Sequence, residues 1–393
     1  MKVGVTFFFQ NQTDYFDRWK DENFSRPASY SNAQCYRDNL RLAELCEPLG
    51  YDSVWTVEHH FGPYGLNSNP LQFLSYMAGR TSKIKLGTMV VVLPWHDPIR
   101  VAEAISMLDV QSGGDRLMLG FGRGAAPHEF ECFRVDYKES RNRMDEALEI
   151  VRLALTQEFF EFDGKYFKIP RTSVTPEPLT KDITKNMWAA WSSEESMTWA
   201  ANSGCAPMYN NFARWEGVIE TTKRFNDIRA THGWHATPPL CGGPVFVSES
   251  KDEAEEARHW YRDVTEMAIW HYGLFDQPTI RAQVAGKSGA ELEAAVAKIY
   301  EASMQTGVFG TPDECIEQLV EIQKKLGLAH IICNLNFGRM SIETAEKNMR
   351  LFAKEVLPVL QAIEVEDPGS TAFADVLASR EETSDRDGLA IVR

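Results

Sequence analysis

The sequence predicts an α/β protein built as a (β/α)₈ TIM barrel, with a helical insertion after the seventh strand and a long loop after the first. Two observations favour this fold. Roughly eight short, apolar segments occur along the chain, and most are followed by a longer segment with helical spacing of its apolar residues. The short segments are almost continuously apolar, which is typical of parallel strands covered by helices.

An open, doubly wound sheet is the alternative arrangement for alternating strands and helices. That fold is best recognised by a G-x-G-x-x-G turn directly after a strand. The chain has Gly120-Phe-Gly-Arg-Gly124 after its fourth predicted strand, but the spacing differs and the motif comes late in the chain. Eight units in one chain close most simply into a barrel.

The predicted elements alternate in chain order. Strands are expected at Val3–Phe9, Ser53–Val57, Ile84–Leu93, Arg116–Phe121, Met187–Trp191, Pro207–Tyr209, Val245–Val247 and Ile331–Leu335. Helices are expected at Ala33–Leu49, Ile99–Leu108, Ser140–Leu155, Glu194–Asn202, Trp215–Thr231, Pro312–Leu326 and Ser341–Leu360. Thr311 before Pro312 is a typical helix start, because threonine caps free N–H groups and proline fits the first helical position.

Three segments exceed what a minimal barrel needs. Asn11–Asn32 is a long, aromatic and polar loop after the first strand, and Ser248–Gly310 is a largely helical insertion after the seventh. Insertions above a barrel mouth often act as lids. Residues 1–366 are therefore expected to form one barrel domain, with 248–310 as a candidate lid. Residues 367–393, rich in Ser, Asp, Glu and Arg, are expected to form a C-terminal tail.

Charge and cysteine content restrict the partners and the compartment. The chain has 393 residues and a formal net charge of −15, so nucleic acid and anionic membrane surfaces are not expected partners. No apolar run approaches the ~18 residues that a membrane helix needs. The apolar run at the N-terminus is too short for a signal peptide and is interpreted as the first strand. Seven scattered cysteines without a C-x-x-C motif predict reduced thiols and a cytoplasmic protein.

Functional side chains of a barrel lie at the carboxyl ends of its strands. The second strand ends at Glu58-His59-His60, the third at Trp95-His96 and the fourth at Arg123. The fifth ends at W-S-S-E-E-S, where serines surround the first turn of a helix. Free N–H groups there, together with the guanidinium of Arg123, indicate a phosphate site. The alternative is a capping box beside a surface ion pair.

The two adjacent histidines allow three interpretations. A metal site at His59, His60 and His96 would need further ligands, but neighbouring strand residues point to opposite faces and no acidic or cysteine set completes it. No metal site is therefore expected. An acid/base role needs only one imidazole that faces the barrel mouth. At least one of the two histidines is expected to be a hydrogen-bonded structural residue.

Longer motifs resemble a known family. The stretches E-H-H-F-G-P-Y-G-L-N-S-N-P, K-L-G-T-M-V-V-V-L-P and L-D-V-Q-S-G-G-D-R-L-M-L-G-F-G-R-G are similar to the catalytic subunit of bacterial luciferase. More broadly, they resemble the luciferase-like family of flavin-dependent monooxygenases. The similarity is dense over Tyr51–Arg143 and resumes at W-S-S-E-E-S-M-T-W-A-A and from V-F-G-T-P-D-E-C to N-F-G-R-M. The ordered run of these motifs is specific, whereas each alone is weak.

The resemblance implies an enzyme that takes reduced FMN from a separate NAD(P)H-dependent flavin reductase and uses O₂ to oxygenate a small organic substrate through a flavin hydroperoxide. It also implies that barrels pair, as a homodimer or a dimer of dimers. His59 corresponds to the catalytic histidine, and Glu58 or His60 would orient it. The implied FMN-binding residues are Thr88, Met89, Val90, Gly122, Arg123, Ala125, Trp191, Ser192, Ser193 and Ser196. Met89 and Val90 belong to a segment with a peptide bond that is often cis in the family.

The chain departs from luciferase at two implied flavin contacts. Gly122 replaces a reactive cysteine, which is expected to open space beside the flavin and weakens any claim of light emission. Ser192 replaces a glutamate beside the phosphate. Aromatic residues near the predicted mouth, half of them expected to be ordinary core, suggest a cavity for an apolar or ring-shaped substrate. Few arginines lie near the predicted strand ends to bind an anionic substrate, which favours a neutral or weakly polar molecule. The expected substrate contacts are Phe8, Tyr64, Trp95 and His96.

Three other functions stay open on the sequence. A deazaflavin-dependent dehydrogenase of the same superfamily would share the barrel and carry a hydride without using oxygen. A non-catalytic FMN-binding protein would keep the phosphate site alone. A metal hydrolase would centre on His59, His60 and His96. The E-H-H-F motif and the full set of eight units favour the monooxygenase.

Overall fold

The computed structural model describes residues 1–191, 194–209, 215–273, 278–304 and 306–365. The described strands are β1 (Lys2–Phe7), β2 (Ser53–Thr56), β3 (Lys85–Val92), β4 (Leu117–Gly122), β5 (Phe160–Asp163), β6 (Lys168–Thr172), β7 (Met187–Ala190), β8 (Ala206–Tyr209), β9 (Leu240–Val247), β10 (Val308–Gly310) and β11 (His330–Asn334).

Helices follow most of the strands. They are α1 (Tyr15–Lys20), α2 (Asn32–Glu44), α3 (Pro70–Arg80), α4 (Pro98–Ser112), α5 (Pro127–Phe133), α6 (Ser140–Thr156), α7 (Glu194–Asn202), α8 (Trp215–Thr231), α9 (Lys251–Tyr272), α10 (Pro278–Val284), α11 (Gly289–Met304), α12 (Pro312–Leu326), α13 (Ile342–Leu351) and α14 (Leu357–Gln361). Within the described ranges, no helix is long and apolar enough to cross a membrane.

Eight parallel strands close into a barrel. Its order is β1, β2, β3, β4, β7, β8, β9 and β11, and β11 pairs back onto β1. The ring closes between β8 and β9, where Met208 is opposite Leu240 and Tyr209 is opposite Cys241. β10 pairs with the end of β9 and extends that edge, whereas β5 and β6 form a separate antiparallel hairpin. The predicted TIM barrel is therefore confirmed.

Each predicted barrel strand is present close to its expected bounds, except that β9 begins at Leu240 rather than at Val245. The sequence interpretation missed the β5–β6 hairpin, whose residues are mostly exposed and therefore form no apolar run. It also missed α1, α3, α5 and β10. The insertion 248–310 contains α9, α10, α11 and β10, and the long loop after β1 contains α1. The tail, 367–393, lies outside the described residues.

The interior of the barrel is filled beneath its carboxyl-end rim. Trp55 of β2 is fully buried and packs edge-on against Trp188 of β7, with ring centroids 6.4 Å apart. The Trp55 indole N–H donates to Ser53 Oγ at 2.7 Å, so its polar atom is satisfied inside the core. Trp55 is therefore a core residue beneath the rim, and the partly buried Trp188 packs against it.

Gly87 of β3 has no side chain, and the Trp55 ring occupies the space that a side chain at position 87 would need. A Cβ at position 87 would lie 2.2 Å from two ring carbons of Trp55. We expect Gly87→Ala to destabilise the protein by about 1–3 kcal/mol, because overpacking forces a buried ring to move. Urea unfolding of the variant measures this change in the free energy of unfolding.

Gly79→Ala in α3 is the matched control, because no atom lies within 4 Å of the added Cβ. Replacing an unhindered helical glycine should stabilise by about 0.5–1 kcal/mol. A Gly87→Ala protein that is as stable as the wild type would show that the barrel interior is not tightly packed around Trp55.

Candidate active site

A cavity of about 160 Å³ lies at the carboxyl ends of β1, β2, β3, β4 and β7, beneath the last turn of α9. Most of the predicted site residues line it, namely Phe8, Glu58, His59, Tyr64, Met89, Val90, Trp95, Gly122, Arg123, Ala125, Trp191 and Ser196. Thr88, His60 and His96 lie outside this lining. The Thr88 hydroxyl instead bridges β3 and β4 by exchanging hydrogen bonds with the Gly120 backbone at 2.9 and 2.8 Å. Ser192 and Ser193 fall outside the described residues.

His59 lies just after β2, and the segment 59–67 folds back on itself and holds it in place. The His59 backbone N–H donates to the carbonyl of Asn67 at 3.3 Å. Gly65 passes so close that a Cβ there would lie 2.9 Å from the His59 Cβ. The imidazole is 11% exposed and packs edge-on against Tyr64, with ring centroids 4.7 Å apart. The segment thus fixes the ring at the edge of the cavity.

Glu129 is the carboxylate that faces His59. It lies on α5 after β4, and its Oε1 is 3.4 Å from His59 Nδ1 and 2.7 Å from the backbone nitrogen of His60. Burial acts to raise the pKa of Glu129, but His271 and His59 outweigh it and hold that pKa well below its usual range. Glu129 is therefore an ionised carboxylate inside the protein.

The last turn of α9 brings two more side chains to His59. His271 Nε2 lies 3.3 Å from Glu129 Oε1, and the Tyr272 hydroxyl lies 3.3 Å from His59 Nε2. Burial lowers the pKa of His271 to about 4, so its imidazole is neutral near pH 7. Burial, with Tyr64 and Glu129 nearby, raises the pKa of Tyr272 well above its usual value. The Tyr272 hydroxyl therefore keeps its proton.

Glu58 and His60 belong to a second cluster. Glu58 Oε1 lies 3.1 Å from His60 Nε2 and 2.6 Å from His96 Nε2, and Glu58 Oε2 accepts the Val92 N–H at 2.8 Å. Burial acts to raise the pKa of Glu58, but hydrogen bonds from the two histidines lower it overall. Burial likewise acts to lower the pKa of His96, and Glu58 raises it overall. The cluster ties the end of β2 to the end of β3.

Basic and hydroxyl groups gather on the β4–β7 side of the cavity. The Arg123 guanidinium lies over the Tyr137 ring at 4.7 Å and donates to the Tyr137 hydroxyl at 2.6 Å. Arg141, in the first turn of α6, donates from Nη2 to Ser196 Oγ at 3.0 Å. Two guanidinium groups and a hydroxyl beside the start of α7 have the chemistry of a phosphate site.

The space beside Gly122 is filled, whereas the sequence predicts that it is open. A Cβ at position 122 would lie 2.5 Å from Val90 Cγ2, so a valine methyl already fills the place of a larger side chain. The prediction that Gly122 opens space beside a flavin is therefore wrong. The Met89–Val90 peptide bond is cis, as the resemblance implies.

Four residues of the site were not found from the sequence. Glu129 and Arg141 lie on helices after β4, and His271 and Tyr272 lie at the end of α9. Glu129 follows Arg123 within the same short segment, R-G-A-A-P-H-E, which is the signal that could have indicated it. No local pattern links the His-Tyr pair of α9 to His59, because that contact spans more than two hundred residues.

The fold is that of a TIM barrel, and the candidate site lies at the carboxyl ends of its strands. A family model described as luciferase-like monooxygenase matches residues 18–330. The alkanal monooxygenase alpha chain of Photorhabdus luminescens is 23% identical over 348 residues, covering 86% of this chain and 94% of that protein. The chain therefore belongs to the luciferase-like family of flavin-dependent monooxygenases.

Solved structures agree with this assignment at the level of the fold. Monooxygenase RslO1 from Streptomyces bottropensis aligns with a TM-score of 0.70 at 27% identity, over 91% of this chain and 99% of that one. The oxygenating constituent of 3,6-diketocamphane monooxygenase from Pseudomonas putida, in complex with FMN, aligns with a TM-score of 0.67 at 18% identity, over 94% and 99%.

Replacing Glu58 tests whether the cluster of Glu58, His60 and His96 stabilises the fold. Glu58→Ala would leave His60, His96 and the Val92 N–H without their buried partner, so we expect a loss of about 3–5 kcal/mol in the free energy of unfolding. Glu103→Ala is the control, because it breaks a surface ion pair with Arg100 and should cost about 0–1 kcal/mol. Equal, small losses in urea unfolding would contradict a structural role for Glu58.

Proposed function

We propose that the chain is the oxygenase of a two-component system. It would take reduced FMN from a separate NAD(P)H-dependent flavin reductase and use O₂ to oxygenate a small, neutral organic substrate. One observation carries this proposal: a single cavity has guanidinium and hydroxyl groups on one side and the imidazole of His59 on the other. Bound reduced FMN would supply the electrons that activate oxygen.

The basic side of the cavity fits the phosphate of FMN. Arg123, Arg141 and Ser196 can donate to phosphate oxygens, and the start of α7 adds its positive dipole end. Arg141 already contacts Ser196, so the two donors are held together before any ligand arrives. The apolar side chains of Met89, Val90 and Trp191 line the same cavity and suit the isoalloxazine ring.

His59 is arranged to hold a proton at a defined atom. The ionised carboxylate of Glu129 faces Nδ1 and favours the tautomer that carries its proton there. Nε2 is then an acceptor, and the Tyr272 hydroxyl can donate to it across 3.3 Å. In this arrangement, Nε2 can take up a proton from the reacting groups and return it.

The surroundings of His59 limit both water and the choice of substrate. Phe8, Tyr64 and Tyr272 form aromatic walls there, and they exclude water from a reaction that water would divert. Among the described lining residues, the cationic side chains are Arg123 and Arg141, on the phosphate side. Glu58 and Glu129 are engaged with histidines. These features favour a neutral, apolar or aromatic substrate.

The proposal is tested by supplying the protein with reduced FMN or with reduced deazaflavin, each with and without O₂. We expect protein-bound reduced FMN to be reoxidised more slowly than free reduced FMN. We also expect a panel of ketones, aldehydes and phenolic polycycles to yield a product that contains one ¹⁸O atom from ¹⁸O₂. Mass spectrometry measures the label. Hydride transfer from reduced deazaflavin without oxygen would instead identify a dehydrogenase.

His59→Ala separates the role of the imidazole from flavin binding. We expect it to bind reduced FMN as the wild type does, to lower ¹⁸O incorporation by about 10²–10⁴-fold, and to release hydrogen peroxide instead. Incorporation of ¹⁸O at the wild-type rate in this variant would contradict the proposed role of His59 in proton transfer.

Arg141→Gln tests the phosphate site. We expect FMN to bind about ten- to a hundredfold more weakly, because a charged hydrogen bond to phosphate contributes about 1.5–3 kcal/mol. Riboflavin, which lacks the phosphate, should bind the variant and the wild type equally. Anaerobic titrations of both reduced flavins measure the difference.

Arg143→Gln is the matched control, since Arg143 lies on the same helix but outside the cavity lining, stacked on Tyr166 at 5.2 Å. An equal loss of affinity for FMN and riboflavin in Arg141→Gln would indicate a general disturbance of the pocket rather than a lost phosphate contact.

A further inference from the structure

Two imidazoles and a carboxylate meet at the edge of the cavity from three separate segments. His59 follows β2, Glu129 lies on α5, and His271 lies in the last turn of α9. The distances to Glu129 Oε1 are 3.4 Å from His59 Nδ1 and 3.3 Å from His271 Nε2. One ligand atom from each residue can be chosen so that all three lie within 4.8 Å of one another.

Several polar atoms of this group lack a hydrogen bond. His59 Nδ1, Glu129 Oε2 and both ring nitrogens of His271 are buried and make no hydrogen bond of good geometry within the part of the chain that the structure describes, although Glu129 Oε1 lies near one nitrogen of each histidine. Buried polar atoms in folded proteins are normally satisfied, so such a set indicates a bound water or ion. Its composition, two nitrogens and one carboxylate, is that of a divalent transition-metal site.

We propose that His59, Glu129 and His271 form a binding site for Zn²⁺ or a similar divalent transition-metal ion. Zinc bonds of about 2.0–2.2 Å in a tetrahedron place neighbouring ligand atoms about 3.3–3.6 Å apart. The separations of Glu129 Oε1 from His59 Nδ1 and His271 Nε2, 3.4 and 3.3 Å, fall within that range, and all three ligand atoms lie within 4.8 Å of one another. His59 and Glu129 also line the cavity, so an ion held by them would be reached from it.

The neighbouring cluster provides an internal comparison. Glu58, His60 and His96 also combine a carboxylate with two imidazoles, but their atoms are already paired. The separation of 2.6 Å between His96 Nε2 and Glu58 Oε1 is a short hydrogen bond and leaves no place for an ion. The three histidines considered as metal ligands from the sequence therefore face two different carboxylates. His60 and His96 face Glu58, whereas His59 faces Glu129 and forms the proposed site with Glu129 and His271.

An ion at this site would change two properties of the protein. It would replace the proton on His59 Nδ1, and, if the proposed function is correct, the loaded enzyme would lose its proton carrier. It would also join the last turn of α9 to the end of β2 and to α5, which raises the stability of the folded chain. Binding itself does not depend on the proposed function.

The test is calorimetric titration of the purified full chain with Zn²⁺, after chelation and in the absence of flavin and substrate. We expect one saturable site with a dissociation constant of about 1 μM or lower, and a Zn²⁺-dependent rise in Tm. His271→Gln and Glu129→Gln should each weaken binding at least about tenfold, because each removes a ligand. His96→Gln, in the neighbouring cluster, should bind Zn²⁺ as the wild type does.

X-ray absorption on the unaltered, Zn²⁺-loaded protein covers the case in which a variant fails to fold. Two imidazole nitrogens with oxygen ligands support the proposal, whereas a thiolate ligand, as from the exposed Cys132, overturns it. Titration without a saturable site, or affinity unchanged in His271→Gln, also overturns it. Since no flavin is present, these results do not depend on whether the chain is an oxygenase.

Discussion

Closure of the parallel sheet is the constraint on which the rest of the molecule depends. The pairing of β8 with β9 leaves no open edge in the ring and sets all eight carboxyl ends on one rim. Residues that are far apart in the chain then become neighbours because the strand ends that carry them share one rim. His59 after β2, Arg123 after β4 and Ser196 on α7 line one cavity for this reason. The buried Trp55 fills part of the interior below them.

The barrel could be predicted because each of its strands is buried and therefore forms an apolar run with a helical segment behind it. The predicted site residues at strand ends could be found for the same reason, since a strand end fixes its place on the rim. Glu129, Arg141, His271 and Tyr272 could not be found this way. They lie on helices, and their places depend on how those helices pack over the rim. Of the four, Glu129 alone has a local signal, because it follows Arg123 in the segment R-G-A-A-P-H-E. The filled space beside Gly122 likewise depends on Val90, a residue of the neighbouring strand.

Two adjacent histidines have separate surroundings in this protein. His60 turns to Glu58 and packs edge-on against Trp95 and Phe133, so it stabilises the junction of two strands. His59 turns to Glu129 and keeps one nitrogen toward the cavity. Because each imidazole has its own carboxylate, the two histidines lie side by side without competing for one partner.

The insertion begins directly after β9 and ends with β10, which pairs with β9 at Val245–Val247. A segment attached in this way can lengthen, shorten or be exchanged during evolution while the barrel stays closed. Its α9 nevertheless carries Tyr272 and His271 to His59. A change of insertion would therefore alter the shape of the cavity and the contacts of the His59 imidazole at once, so that the two properties are expected to vary together.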